Sequence, residues 1–87
     1  MKAMIQKDVP LQELIWHGFR DDGAVMIREV RHPLHLVVDK RTRELVLLSP
    51  MGPAAYMEAH QEKFRDLLNL GIVYLVKAEY DRGQSDA

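Results

Sequence analysis

The sequence predicts a small α+β domain in which two helices lie on one face of a mostly antiparallel sheet of four or five strands. Three observations predict this fold. Apolar residues recur at helical spacing over residues 53–70, and a run of apolar residues follows at 72–76 after a single glycine. Between residues 24 and 48, short apolar segments alternate with polar turns, which is typical of antiparallel strands.

The expected order of elements is β-α-β-β-β-α-β. This order approaches a ferredoxin-like βαββαβ arrangement if the segment around Arg43 is only a bulge. We expect residues 1–80 to form a single domain. The polar residues 81–87 contain nothing to bury and are expected to form a disordered tail.

The first strand is expected within residues 2–7. Asp8 and Pro10 then suit a helix start, as a capping carboxylate and an early proline. We expect a helix over residues 10–20, because its apolar residues share one helical face: Leu11, Leu14, Ile15, Gly18 and Phe19. The alternative is a strand that forms a hairpin through residues 20–23, since Asp-Gly is a hairpin turn signal.

Three strands are expected next, over residues 24–31, 34–38 and 44–48. Pro33 separates the first two, because proline cannot donate a hydrogen bond to a strand ladder. The polar residues 39–43 are expected to form the hairpin loop between the second and third. The third strand is apolar on both faces, which indicates a position inside the sheet.

The second helix is expected to run from Pro53 to Leu70 as one continuous amphipathic rod. Proline is tolerated in a first helical turn, and Gly71 suits a left-handed C-cap. The last strand is expected from Ile72 to Tyr80, packed back against the helix. The apolar stripe of this helix contains Pro53, Met57, His60, Phe64, Leu67 and Leu68.

Composition limits the possible functions. The net charge of −1 is too near zero to predict nucleic-acid binding from charge balance alone. The chain has no cysteine, which excludes disulfides, thiolate zinc sites and thiol catalysis. No apolar run has the length of a signal peptide core or a membrane span, so we expect a cytoplasmic protein.

The sequence contains no combination of residues that indicates catalysis. His32 and His35 would point to opposite faces of an extended chain, and His17 and His60 lie on different predicted helices. Neither serine lies in the glycine-bounded elbow of a nucleophile. We therefore expect no enzyme activity, no metal and no cofactor.

Two aromatic features are candidate contact sites. Trp16 lies at the margin of the apolar face of the first predicted helix, where its large ring would anchor a partner or cap the core. Tyr74 and Tyr80 share one face of the last strand. If that strand lies at an edge, it could pair with a symmetry mate or another protein. The alternative is that the tyrosines only line the outer face of the sheet.

The cations Lys40, Arg41 and Arg43 form a basic hairpin. Together with Arg28 and Arg31 they would make a patch that contacts phosphates. The alternative is a solvated turn whose charges discourage edge-to-edge aggregation. No aromatic residues alternate with these cations, as they do in surfaces that stack bases.

These observations lead to one expected function and two alternatives. We expect a small non-enzymatic regulatory or inhibitory protein that binds and occludes a macromolecular target, most naturally a protein, and that could dimerise through its last strand. Bacterial accessory proteins and phage inhibitors belong to this class. The first alternative is nucleic-acid binding through the basic hairpin. The second is a small-molecule pocket around His60, whose imidazole interrupts the apolar stripe; that ring could equally be a hydrogen-bonded core residue.

Overall fold

The computed structural model describes residues 1–77, so the expected tail at 81–87 and Tyr80 lie outside the described residues. This part of the chain forms seven strands, two 3₁₀ helices and one α-helix. In chain order they are β1 (Lys2–Ile5), the first 3₁₀ helix (Leu11–His17), β2 (Arg20–Asp22), β3 (Val25–Arg31), β4 (Leu34–Asp39), β5 (Glu44–Ser49), β6 (Gly52–Pro53), the second 3₁₀ helix (Met57–Lys63), α1 (Arg65–Asn69) and β7 (Val73–Val76).

All seven strands belong to one antiparallel sheet. Six of them follow the order β2-β3-β4-β5-β1-β7, and the seventh, β6, pairs with β5. β5 pairs with β4 along one edge. Its other edge is divided, because Leu45 pairs with β1 while Leu48 and Ser49 pair with β6. The small α+β domain with an antiparallel sheet is confirmed, with more strands than the expected four or five. The ferredoxin-like arrangement is not confirmed, since its βαβ units require parallel strands.

Residues 10–20 contain both of the elements that the sequence offered as alternatives. The first 3₁₀ helix ends at Gly18, whose φ of 89° is a left-handed conformation that favours glycine. The chain then enters β2, which forms a hairpin with β3 through Gly23. A helix over the whole of 10–20 is therefore wrong beyond His17.

The continuous helix expected from Pro53 to Leu70 is also wrong. The Ser49 hydroxyl accepts the Met51 N–H at 3.2 Å and donates to the Gly52 carbonyl at 3.1 Å, which closes a turn. Gly52, at a φ of 110°, returns the chain along β5 as β6. The helix begins only at Met57.

The remaining helical segment is broken rather than straight. His60 and Phe64 both have non-helical backbone angles, with φ values of −121° and −137°. From Met57 onward, most of the predicted stripe still points inward, because Met57, Phe64 and Leu67 are all buried. A 3₁₀ helix aligns residues three apart. The apolar spacing that predicts an α-helix therefore also fits these shorter turns.

One apolar cluster lies between the sheet and the helices. Leu14, Met57, Phe64 and Leu67 bring all three helices to the same face of the sheet. We call this the covered face. Its buried strand residues alternate along their strands, as period-two geometry requires. They are Ala3, Ile5, Met26, Leu36, Val38, Leu45, Leu47 and Val73.

Arg28 points from β3 to the covered face and joins three elements. Its Nη1 donates to the His17 carbonyl at 3.0 Å and to Asp66 Oδ2 at 2.9 Å. Its Nη2 donates to the Lys63 carbonyl and to Asp66 Oδ1, both at 3.2 Å. The guanidinium carbon lies 5.3 Å from the ring centroid of Phe19. The planar guanidinium thus fastens both 3₁₀ helices and α1 to β3.

Replacing Phe64 with alanine should lower the free energy of unfolding by about 3–5 kcal/mol, because it leaves a cavity where both C-terminal helical segments meet the sheet. Urea denaturation followed by circular dichroism measures this change. Leu70→Ala is the matched control, since Leu70 is 61% exposed. It should change stability by less than about 0.5 kcal/mol. Equal effects of the two substitutions would contradict this packing.

Candidate functional site

The sheet face opposite the helices is apolar at its centre. Ile27, Val37 and Val46 stand side by side across β3, β4 and β5, because Ile27 pairs with Val37 and Val37 with Val46. All three are only half-buried. We call this surface the open face. Strand alternation and cross-strand pairing place five other apolar residues on this face. They are Met4, Val25, Leu48, Tyr74 and Val76.

Helices do not cover the open face within residues 1–77, because the buried residues of all three helices join the cluster on the other side. An antiparallel sheet with one solvated face usually carries polar residues on that face. Here the central positions of β3, β4 and β5 carry β-branched apolar residues instead. Contiguous exposed apolar surface of this kind marks interaction sites in soluble proteins.

A shallow depression of about 280 Å³ lies within the open face. Its floor is apolar and its margin carries ionisable groups. His35 Nε2 lies 3.6 Å from Glu29 Oε2 at this margin. The depression is lined by Arg20, Ile27, His35, Val37 and Leu48. It offers an apolar contact bordered by a cation and an imidazole, but not a closed ligand cavity.

Trp16 is 84% exposed near the end of the first 3₁₀ helix. Ile15 beside it is also exposed, while Leu14 in the same turn is buried. The indole therefore does not cap the core, which was the alternative that the sequence allowed. Because this helix belongs to the layer over the covered face, Trp16 does not lie on the open face.

The cations of the β4–β5 hairpin do not point in one direction. The Lys40 ammonium lies 2.7 Å from Asp21 Oδ1, and this hydrogen bond lowers the pKa of the Asp21 carboxyl. Arg41 is exposed at the tip of the turn. Arg28, which the sequence grouped with this patch, lies on the covered face instead, bound to Asp66.

Arg43 turns inward and forms hydrogen bonds with main-chain groups of the fold. Its φ of 66° places it in the left-handed region. The carbonyl of Arg43 accepts the Ile5 N–H at 2.9 Å, and its N–H donates to the Asp39 carbonyl at 2.7 Å. Its Nη2 donates to the Gln6 carbonyl at 2.7 Å and to the Val9 carbonyl. Arg43 therefore fastens the start of the chain to β5.

The other sequence candidates are separated as well. His60 is half-buried at the break in the second 3₁₀ helix, on the side of the sheet opposite the depression. Tyr74 lies on the open face in β7, which is an edge strand within the described part of the chain. Tyr80 lies outside the described residues. Trp16, the basic hairpin and Tyr74 thus do not form one continuous site.

The sequence predicts that both helices lie on one face of the sheet, but it did not identify the apolar centre of the opposite face as a candidate contact surface. The alternation in residues 24–31 correctly separates Val25 and Ile27 from Met26. However, apolar residues on both faces of β5 indicate burial on both sides. The signal for an uncovered face was the expected placement of both helices on the same side of the sheet.

Three further findings concern possible metal sites, membrane-spanning helices and known relatives. Within residues 1–77, histidine and carboxylate side chains do not gather in groups of three that could hold a metal ion. None of the helices described is long and apolar enough to cross a membrane. Comparison of the chain with models of known protein families, with curated proteins and with solved structures finds no match.

Replacing Asp66 with asparagine should lower the free energy of unfolding by about 0.5–1 kcal/mol at pH 7. The estimate is small because the Asp66 side chain is 54% exposed and solvent screens its ion pair. The Arg28 guanidinium holds the pKa of the Asp66 carboxyl below its ordinary value. A lowered folded-state pKa gives stability that is complete above the unfolded pKa of about 3.9 and is lost as the pH falls through the folded pKa.

The difference between wild type and Asp66→Asn should therefore shrink below about pH 4. Urea denaturation at pH 7 and pH 3 measures it. Asp22→Asn is a control on the exposed strand β2 and should stay within about 0.5 kcal/mol of wild type at pH 7. A difference that grows at pH 3 would contradict the role of the Arg28–Asp66 pair.

Proposed function

We propose that this protein acts without catalysis, by binding a protein target through the open face and so occluding part of the target's surface. The observation that carries the proposal is the contiguous apolar surface around Ile27, Val37 and Val46, which the helices do not cover within residues 1–77. A small domain that occupies the surface of a larger protein acts as a regulator or an inhibitor. This role is the one we assign, in the class of bacterial accessory or phage proteins.

The arrangement of charge supports a protein target. Protein interfaces have an apolar centre and a polar margin. On the open face, the apolar centre is bordered by residues of both signs: Lys2, Arg20, Asp22, Glu29, Asp39 and Glu44. Mixed charges at a margin favour a specific orientation of a partner and weaken attraction to a uniformly charged polymer.

Nucleic-acid binding has less support. Lys40 is paired with Asp21, and Arg43 donates to main-chain carbonyls, so two cations of the basic hairpin are engaged within the fold. Arg41 remains available at the tip of the turn. We therefore assign Arg41 and Trp16 as accessory contacts of the protein target, outside the open face, and Tyr74 as a contact within it.

Val37→Lys should reduce affinity for the target by at least tenfold, because it places a charge at the centre of the apolar surface. The target is first isolated from the cells that make the protein, with the tagged wild-type chain as bait, and affinity is then measured by calorimetry. Leu70→Lys is the matched control, since it adds the same charge at an exposed apolar residue of the other layer. Both variants must retain the circular dichroism of the wild type.

Equal binding by the two variants would contradict the assignment of the open face. Recovery of nucleic acid in place of a protein, with binding that weakens steeply as salt increases, would replace the protein target with the alternative function.

Trp16→Ala should leave the free energy of unfolding within about 0.5 kcal/mol of wild type, because the ring is already exposed. Affinity for the isolated target should fall by about fivefold, because Trp16 is an accessory contact outside the centre of the interface. Met51→Ala is the control, since Met51 is 97% exposed on the turn before β6. Unchanged affinity of Trp16→Ala would remove this residue from the contact surface and leave the open face assigned.

A further inference from the structure

Three strands have a partner on only one side within residues 1–77, namely β2, β6 and β7. Proteins protect such edges by keeping them short, charged or interrupted by proline. β2 is short, and its residues Arg20, Asp21 and Asp22 are all charged and exposed. β6 contains only Gly52 and Pro53, and proline cannot donate to a further strand. Both edges are therefore protected.

β7 lacks this protection. Its four residues are uncharged, Val73, Tyr74 and Val76 have high β propensity, and Lys77 follows them. One edge of β7 pairs with β1 over its whole length. The other edge has no partner among the described residues. β7 is thus the one edge strand in this range that is suited to accept another strand.

Hydrogen bonding at β1 shows which groups β7 presents outward. The Gln6 N–H donates to the Ile72 carbonyl at 2.9 Å, while the Ile5 N–H points the other way, to Arg43 in the loop before β5. Main-chain groups alternate in direction along an antiparallel strand. Residues 72, 74 and 76 therefore bond to β1, and the N–H and C=O groups of residues 73, 75 and 77 face away from the sheet.

We propose that β7 pairs antiparallel with β7 of a second copy of this chain, about a two-fold axis at Leu75. Outward-facing residues must bond to outward-facing residues. With the axis at Leu75, the two Leu75 residues bond to each other and Val73 bonds to Lys77 of the second copy. This register uses every outward N–H and C=O group of residues 73–77.

The side chains fit the same register. Tyr74 lies opposite Val76 of the second copy on the open face, an aromatic and β-branched pair that stabilises antiparallel strands. Lys77 lies opposite Val73 rather than the other Lys77, so like charges do not meet directly. Pairing through β2, about an axis at Asp21, would instead bring the Asp21 carboxylates of the two copies together.

This pairing would join the open faces of two copies into one surface, with Tyr74 and Val76 of each copy at the junction. The inference does not rest on the proposed target, because it depends only on the main chain of β7. A strand pair of this length buries less than the roughly 1,200 Å² of a small specific interface. We therefore expect a dimer that dissociates on dilution.

Sedimentation equilibrium of the full chain tests the pairing. The wild type should approach twice the monomer mass as concentration rises. Lys77→Pro should remain a monomer, because it removes an outward N–H without touching a bond to β1, whereas Lys77→Ala keeps that N–H and should still dimerise. The circular dichroism of both variants should match the wild type.

A chain that stays monomeric at every concentration overturns the proposal. A dimer that Lys77→Pro does not weaken also overturns it, because another surface must then hold the copies together.

Disulfide formation tests the register, since the chain has no cysteine of its own. The double variant Tyr74→Cys/Val76→Cys should oxidise to a covalent dimer, because its thiols face each other at positions where β-carbons lie about 4.5–5.5 Å apart. Each single variant should cross-link much more slowly. Equally rapid cross-linking of the single Tyr74→Cys variant would move the axis to residue 74 and overturn the register. Arg20→Cys/Asp22→Cys on β2 is the matched control and should not cross-link rapidly.

Discussion

The sheet has two apolar faces, but the described chain supplies helices for only one of them. β5 illustrates the constraint, because Leu45 and Leu47 point to the covered face while Val46 and Leu48 point to the open face. The helices that bury the first pair are short, and each contributes only one buried residue to the cluster. Burial of apolar area is the main favourable term in folding. A partner that covers the open face would therefore gain the same favourable free energy of apolar burial.

Arg28 fastens the helices to the covered face. It is a charged residue on the covered face, so its guanidinium requires hydrogen-bond acceptors there. Two of them, the carbonyls of His17 and Lys63, belong to the last residues of the two 3₁₀ helices. Such carbonyls have no partner within their own helix and carry the negative end of its dipole. One cation from β3 thus satisfies two helix ends, and Asp66 completes its coordination.

The sequence predicted the strands well and the helices poorly, for physical reasons. Strands within residues 24–48 are bounded by turn residues, and their observed limits differ from the expected ones by about one residue. The prediction of one long helix is wrong because apolar spacing of three or four residues fits a 3₁₀ helix as well as an α-helix. The turn at Ser49 and Gly52 then diverted Pro53 into β6, through a side-chain hydrogen bond that periodicity does not reveal.

The directions in which the cations of the basic hairpin point could not be predicted from local sequence either. A cation in a polar turn is expected to face solvent, yet Arg43 reaches back to the carbonyls of Gln6 and Val9 in the segment after β1. Its role depends on contacts between segments far apart in the sequence, which local patterns do not contain. Trp16 shows the converse. Tryptophan is highly buried on average, yet the ring of Trp16 is exposed.

The two proposed surfaces would bind through different kinds of interaction, and they share one residue. The open face would bind through side-chain area, which is not directional, whereas the free edge of β7 would bind through main-chain hydrogen bonds, which fix a register. Tyr74 belongs to both, since its side chain lies on the open face and its strand forms the edge. A dimer would present two open faces in one continuous sheet. A target long enough to contact both would then bind with an affinity that rises with the fraction of chain in the dimer, because the second contact becomes intramolecular.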